Sequence, residues 1–170
     1  MDTERITDIF DSIYETEALI VKPAKGEEIQ RCNEDLAELG FGFIPPDYIE
    51  FLEVADGVAW NGFEFFGVFR VTVKKSGYVL PDLISMNQKI REDKFGMDNR
   101  LYLGRFDDDI YVYDRSEDMY LTLDNLTLTL IDSFETFEDM FVSSITPYID
   151  YDEDDEYDYD DEDASLDEGE

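Results

Sequence analysis

The apolar positions of this chain change period several times, and each change marks an element. Ile6, Ile9, Phe10 and Ile13 fall at i, i+3, i+4 and i+7, one face of a short first helix. A second helix is predicted to start near Glu27 and Glu28, acids suited to the positive end of a helix dipole. It carries Ile29, Cys32, Leu36 and Leu39 on one face and stops at Gly40. Pro46 suits the first position of a third helix bearing Tyr48, Ile49, Leu52 and Ala55, closed by Gly57. Asn61-Gly62 is a turn signal. After it the odd positions Phe63, Phe65, Phe69, Val71 and Val73 are apolar around Gly67, which predicts one strand with a fully buried face.

Pro81 and Asp82 open a further helix through Leu83, Ile84, Asn87 and Ile90, ending near Gly96. From Leu101 the period becomes two. Ile110 and Val112 alternate with tyrosines, Leu121 and Leu123 with Tyr120 and Thr122, and Leu126, Leu128 and Leu130 with threonines. The turns of this antiparallel meander are marked by Asp107-Asp108-Asp109, Ser116-Glu117-Asp118 and Asp124-Asn125. Asp132 with Glu135 resembles a capping box, and Phe134, Phe137 and Phe141 share one face of a last helix. An antiparallel sheet flanked by helices is an α+β pattern, and one domain over residues 4–146 is expected.

Charge changes the picture at residue 150. From there to Glu170 the chain has 14 acids in 21 residues and no base, so an extended, disordered acidic tail is expected. The whole chain stands at −32, and 31 acids against 13 bases leave residues 1–149 at −18. Arg70 to Arg105 runs the other way, with eight bases against four acids. Extended, the tail reaches roughly 70 Å, far enough to fold back onto Lys74, Lys75, Lys89, Arg91 and Lys94.

A net charge of −32 opposes docking on nucleic-acid phosphates or anionic membranes. No histidine is present, which excludes Ser-His-Asp and Cys-His catalysis and His-bearing zinc sites. One cysteine cannot close an internal disulfide, and Cys32 on an apolar stripe reads as a small buried hydrophobe. Met1 to Ile13 mixes acids with apolar residues, unlike a secretory signal, and no run approaches the roughly 18 apolar residues of a membrane span. A cytoplasmic, reduced protein is expected.

The string LGFGFIPPDYIEFLEVADGVAWNGFEFFG, Leu39 to Gly67, resembles the first half of the SUKH superfamily, the SMI/KNR-like domain. Leu103-Gly104 with Asp107 to Asp109, IYVYD at 110–114 and SFETFEDMF at 133–141 resemble its second hairpin and closing helix. The likeness covers about Ile6 to Phe141 and is nearest the bacterial immunity branch. It implies an intracellular, non-catalytic binding domain, most often an immunity protein or antitoxin that neutralises a cognate toxin, in many cases a nuclease; a basic toxin is expected from the charge of this chain, and no cofactor or metal is expected. The eukaryotic side of the family implies the alternative, a regulatory scaffold or adaptor that binds basic client proteins.

Candidate contact residues are Trp60, Glu64, Asp107, Asp108 and Asp109 in the domain, with Tyr151, Asp154, Asp155, Tyr157 and Tyr159 in the tail. Trp60, before the Asn-Gly turn, is either an exposed contact or packed against Pro45-Pro46. The three aspartates read first as a turn, and second as two carboxylates for a divalent cation. Asp150, Asp152 and Asp154 imitate the first ligands of an EF-hand, but Asp155 stands where that loop needs glycine. The glycines fall into no phosphate-loop pattern. No catalytic constellation emerges.

Overall fold

A computed structural model describes residues 1–149. The acidic stretch 150–170, with Tyr151, Asp154, Asp155, Tyr157 and Tyr159, lies outside the described residues. α1 (Thr3–Ile13) starts where the Asp2 carboxylate accepts from the Glu4 N–H, and buries Ile6, Ile9, Phe10 and Ile13. In α2 (Gly26–Glu38) the Glu28 carboxylate accepts from the Lys25 N–H, and Ile29, Cys32 and Leu36 are buried. Leu39, predicted on the same face, is instead half-exposed. The cause is a Schellman stop: Gly40 takes φ +83° and the Phe41 N–H donates back to Leu36 O at 2.8 Å, so Phe41 is the residue that turns inward.

α3 (Pro46–Val54) buries Tyr48, Phe51 and Leu52. The strands are β1 (Leu19–Ile20), β2 (Val58–Trp60), β3 (Phe63–Phe65), β4 (Val71–Thr72), β5 (Val79–Leu80), β6 (Arg100–Phe106), β7 (Asp109–Asp114), β8 (Met119–Asp124) and β9 (Leu130–Phe134). α4 (Leu83–Asp93) sits between β5 and β6, and α5 (Phe137–Ile149) closes the described chain. Seven strands form one antiparallel sheet in the order β1-β2-β3-β6-β7-β8-β9, and β4-β5 make a separate hairpin. This is an α+β fold.

α1, α3 and α5 pack on one another and on one sheet face through Phe10, Phe51, Phe137 and Phe141, which meet Phe65 and Tyr120 of the sheet. α4 covers the opposite face, where Asn87 is its buried polar link. Asn87 Nδ2 donates to Leu83 O and Tyr102 O, and its Oδ1 accepts from the Tyr102 N–H at 2.8 Å. β6 carries a bulge at this point, since Tyr102 pairs with Val112 but Gly104 pairs with Tyr111. The extra residue, Leu103, has its carbonyl met by the Phe66 N–H at 2.9 Å and by the Tyr48 hydroxyl at 3.1 Å. Gly104 has no substitute there, because a Cβ would lie 2.4 Å from Glu64 O.

Three sequence expectations are corrected. The strand read from Phe63 to Val73 breaks at Gly67, where the Asp56 carboxylate accepts from the Val68 N–H at 2.6 Å and Gly67 O accepts from the Leu83 N–H. Phe69 therefore lies half-exposed, and Val71 belongs to the β4–β5 hairpin. The strand placed over Leu126, Leu128 and Leu130 starts only at Leu130. Asp124 Oδ1 gathers the N–H groups of Leu126 and Thr127, which turns the chain, and Leu128 sits at φ +57°. The capping box at Asp132 is absent because Asp132 and Phe134 lie in β9; Thr136 caps α5, accepting from the Asp139 N–H at 3.1 Å. β1 and β5 were not anticipated, each being two residues long.

Asn87 gives a direct test of how the two layers are joined. Asn87→Ala leaves the buried Tyr102 amide without its acceptor and is expected to cost about 2–3 kcal/mol in urea unfolding, with an unchanged slope. A loss below about 0.5 kcal/mol would show that the link is dispensable.

Candidate functional site

The β6 bulge resets side-chain alternation, so Tyr102 and Arg105, three apart, come to the same sheet face as Ile110 of β7. With Met86, Lys89 and Ile90 of α4 they line a cleft of about 460 Å³, rimmed by Asp93, Lys94, Asp107, Asp109 and Asn125. Next to it a groove of about 670 Å³ runs between β1, β2, β3 and the β4–β5 hairpin, with Leu19, Ala59, Val73 and Tyr78 among its lining. A polar cluster divides the two. Glu64 Oε2 accepts from Arg105 Nε at 2.7 Å, and Glu64 Oε1 accepts from the Tyr78 hydroxyl at 2.6 Å. Burial pulls the Arg105 pKa down, but the bonds to Glu64 outweigh it and the net shift is upward. Burial, then Glu64, pushes Tyr78 up as well.

The predicted contact residues divide across this region. Glu64 is the anchor of the dividing cluster, so its carboxylate is engaged within the fold. Trp60 is buried, its indole stacked near Phe63 and its Nε1 donating to Thr16 Oγ1 at 2.8 Å; the packing against Pro45-Pro46 is replaced by this contact. Asp107 and Asp108 stand exposed at the tip of the β6–β7 hairpin, Asp107 at φ +52°, the left-handed region that aspartate tolerates. Asp109 opens β7 on the cleft rim. Phe106 stacks on Phe63 at 3.7 Å and fixes the hairpin from behind.

The hairpin tip is tied to the next turn, because the Asn125 N–H donates to Asp108 O at 2.7 Å. Lys94 Nζ in turn donates to Asn125 O. Four carboxylates thereby crowd one end of the molecule. Burial raises the Asp109 pKa, and Asp124, Asp107 and Asp108 raise it further. Asp124 moves the other way, its carboxylate held low by the Thr127 N–H and hydroxyl. Among the described residues no three His, Cys, Asp or Glu side chains are grouped to hold a metal ion. The Tyr102 hydroxyl is pushed up to about 12 by burial, and Cys32, distant from the cleft lining, likewise to about 12.

Sequence reasoning missed Arg105, Lys94, Asn125, Phe95 and Leu126 at this end. Leu126 was absorbed into a strand pattern, and Phe95 follows the end of α4 outside its buried face. Among the described residues no helix is long and apolar enough to cross a membrane. No protein-family model matches the chain, and no curated protein matches it.

The raised Asp109 pKa gives a signed prediction. The folded chain protonates this carboxyl more readily than the unfolded chain does. Its contribution to stability is therefore fully present below the ordinary aspartate value near 3.9 and is lost as pH rises through the raised folded value. Asp109→Asn should stabilise the protein at pH 7 by roughly 0.5 kcal/mol in low salt, less as salt screens the neighbours. Thermal unfolding at pH 7 and pH 3 checks this; a variant less stable than the parent at pH 7 contradicts it.

Proposed function

We propose that this chain is a non-catalytic binding protein of SUKH type that neutralises a basic partner, a cognate toxin whose active site reads phosphate. The observation that carries the reading is the carboxylate-dense end of the domain, Asp107, Asp108, Asp109 and Asp124, in a chain of net charge −32. A nuclease groove is basic, and such a surface offers it complementary potential and fast, steered association. The SUKH-like strings add support from the sequence, and they fall on the end of α2, α3, β2, β3, β6, β7, β9 and α5.

The test pairs the full-length protein with the products of reading frames adjacent to its own. Rescue of cells expressing one such toxic product, with complex formation by the purified pair, is expected. Asp107→Asn with Asp108→Asn should lower the association rate about tenfold at low salt and change dissociation little. Recovery of several unrelated basic proteins and no toxin would favour the adaptor alternative. Binding unaffected by salt would remove the electrostatic mechanism.

A further inference from the structure

Large apolar side chains exposed singly are ordinary on a protein surface. Phe95 and Leu126 are a different case. Phe95 is fully exposed and Leu126 is 82% exposed, and both stand at the acidic end of the domain. Their two loops are fastened side by side: Lys94 Nζ donates to Asn125 O, and Leu128 Cδ1 is the nearest atom to the side-chain position at Gly96. The Leu126 loop is held from within as well. Asp124 Oδ1 accepts from the Leu126 N–H at 2.9 Å, Asp124 O accepts from the Leu128 N–H at 2.9 Å, and the Asn125 N–H reaches Asp108 O.

We propose that Phe95 and Leu126 form the apolar anchor of a docking surface for a basic protein segment, one that presents a large apolar residue between lysines or arginines. The proposal rests on the reading of the chain as a binder of basic partners and adds where, and by which contacts, binding is held. An apolar centre with a charged rim is the usual division of labour at an interface: desolvated anchors supply affinity, and rim charges supply orientation and rate. Here the rim is Asp93, Asp107, Asp108 and Asp124. Fastening the loops beforehand lowers the ordering cost of binding. A second copy of the chain is disfavoured as occupant, since it would bring −32 against −32.

The experiment uses the full-length chain, immobilised, to select from a displayed library of random 15-residue peptides at low salt. Enriched sequences that combine two or more Lys or Arg with a large apolar residue are expected. Synthetic copies should bind Phe95→Ser and Leu126→Ser at least about tenfold more weakly. The same peptides should lose affinity for Asp107→Asn only in a salt-dependent way. Phe95 is fully exposed, so Phe95→Ser should unfold at the parent's temperature and serves as the decisive variant if Leu126→Ser disturbs its loop. Basic peptides that bind Phe95→Ser as tightly as the parent would overturn the anchor and leave the basic-partner reading standing. Enrichment without basic residues, or no enrichment, would overturn both. A dimer in sedimentation that Phe95→Ser dissolves would assign the pair to self-contact and overturn the proposal.

Discussion

The buried bulge at Leu103 is the constraint on which the rest of this structure depends. A bulge in a central strand leaves backbone groups off the ladder, and buried ones must find partners elsewhere. Three layers supply them: Asn87 from α4 meets the Tyr102 amide, the Phe66 N–H meets Leu103 O, and Tyr48 from α3 brings its hydroxyl to 2.6 Å from Phe66 O and 3.1 Å from Leu103 O. Helices on both faces are thus tied to the same half-turn of β6. The same bulge sends Arg105 to the cleft and Phe106 to the opposite face, where it stacks on Phe63. The acidic hairpin tip follows directly from that placement.

Charge is distributed by the same logic. The window from Arg70 to Arg105 has an excess of bases, and four of its eight are engaged within the fold. Arg91 lies 3.9 Å from the Phe41 ring centroid and donates to Leu39 O and Gly40 O, Lys94 is bound to Asn125 O, Arg100 pairs with Asp114 at 3.1 Å, and Arg105 with Glu64. The other four are exposed: Arg70 just before β4, Lys74 and Lys75 in the β4–β5 hairpin, and Lys89 on α4. The excess is thus split between internal fasteners and bases that stay at the surface.

Much of the fold was legible because its helices follow one-sided periods: Ile6, Ile9, Phe10 and Ile13 are buried as their spacing selects, and in α3 Tyr48 and Leu52 are, though Phe51 is buried unpredicted and Ile49 only partly. The sheet was legible where alternation is long, in β7 and β8. Two strand errors share one cause, a side chain that claims backbone groups ahead of the ladder. Asp56 takes the Val68 amide and ends the Phe63 strand, and Asp124 takes the Leu126 and Thr127 amides and delays β9. Of the site, Asp107 to Asp109 were legible as a local run of charge. Arg105, Lys94 and Asn125 were not, since their meeting depends on the bulge and on loops that close over distance in sequence. Trp60 and Glu64 are spent within the fold, which composition alone cannot reveal.

Two turns of the same sheet show what the aspartates are for. Asn61 at φ +46° and Gly62 at φ +88° join β2 to β3 without any charge, and Asp107 at φ +52° with Asp108 joins β6 to β7. Both meet the twist of a tight hairpin, and asparagine with glycine does so with less strain. Three aspartates in succession add repulsion that a structural turn does not need, and at Asp109 it adds, with that of Asp124, to burial, which is the larger cause of its raised pKa. A nearby residue repeats the pattern, for Leu128 holds φ +57°, a conformation that a bulky side chain adopts at a cost of about 1–3 kcal/mol. Packing against the core offsets that cost and keeps the Leu126 loop in one shape beside the aspartates. Left-handed backbone also occurs at Glu17 and at Asp118 in the β7–β8 turn, so strain alone does not single out this end; what sets it apart is four carboxylates beside two exposed apolar side chains, Phe95 and Leu126.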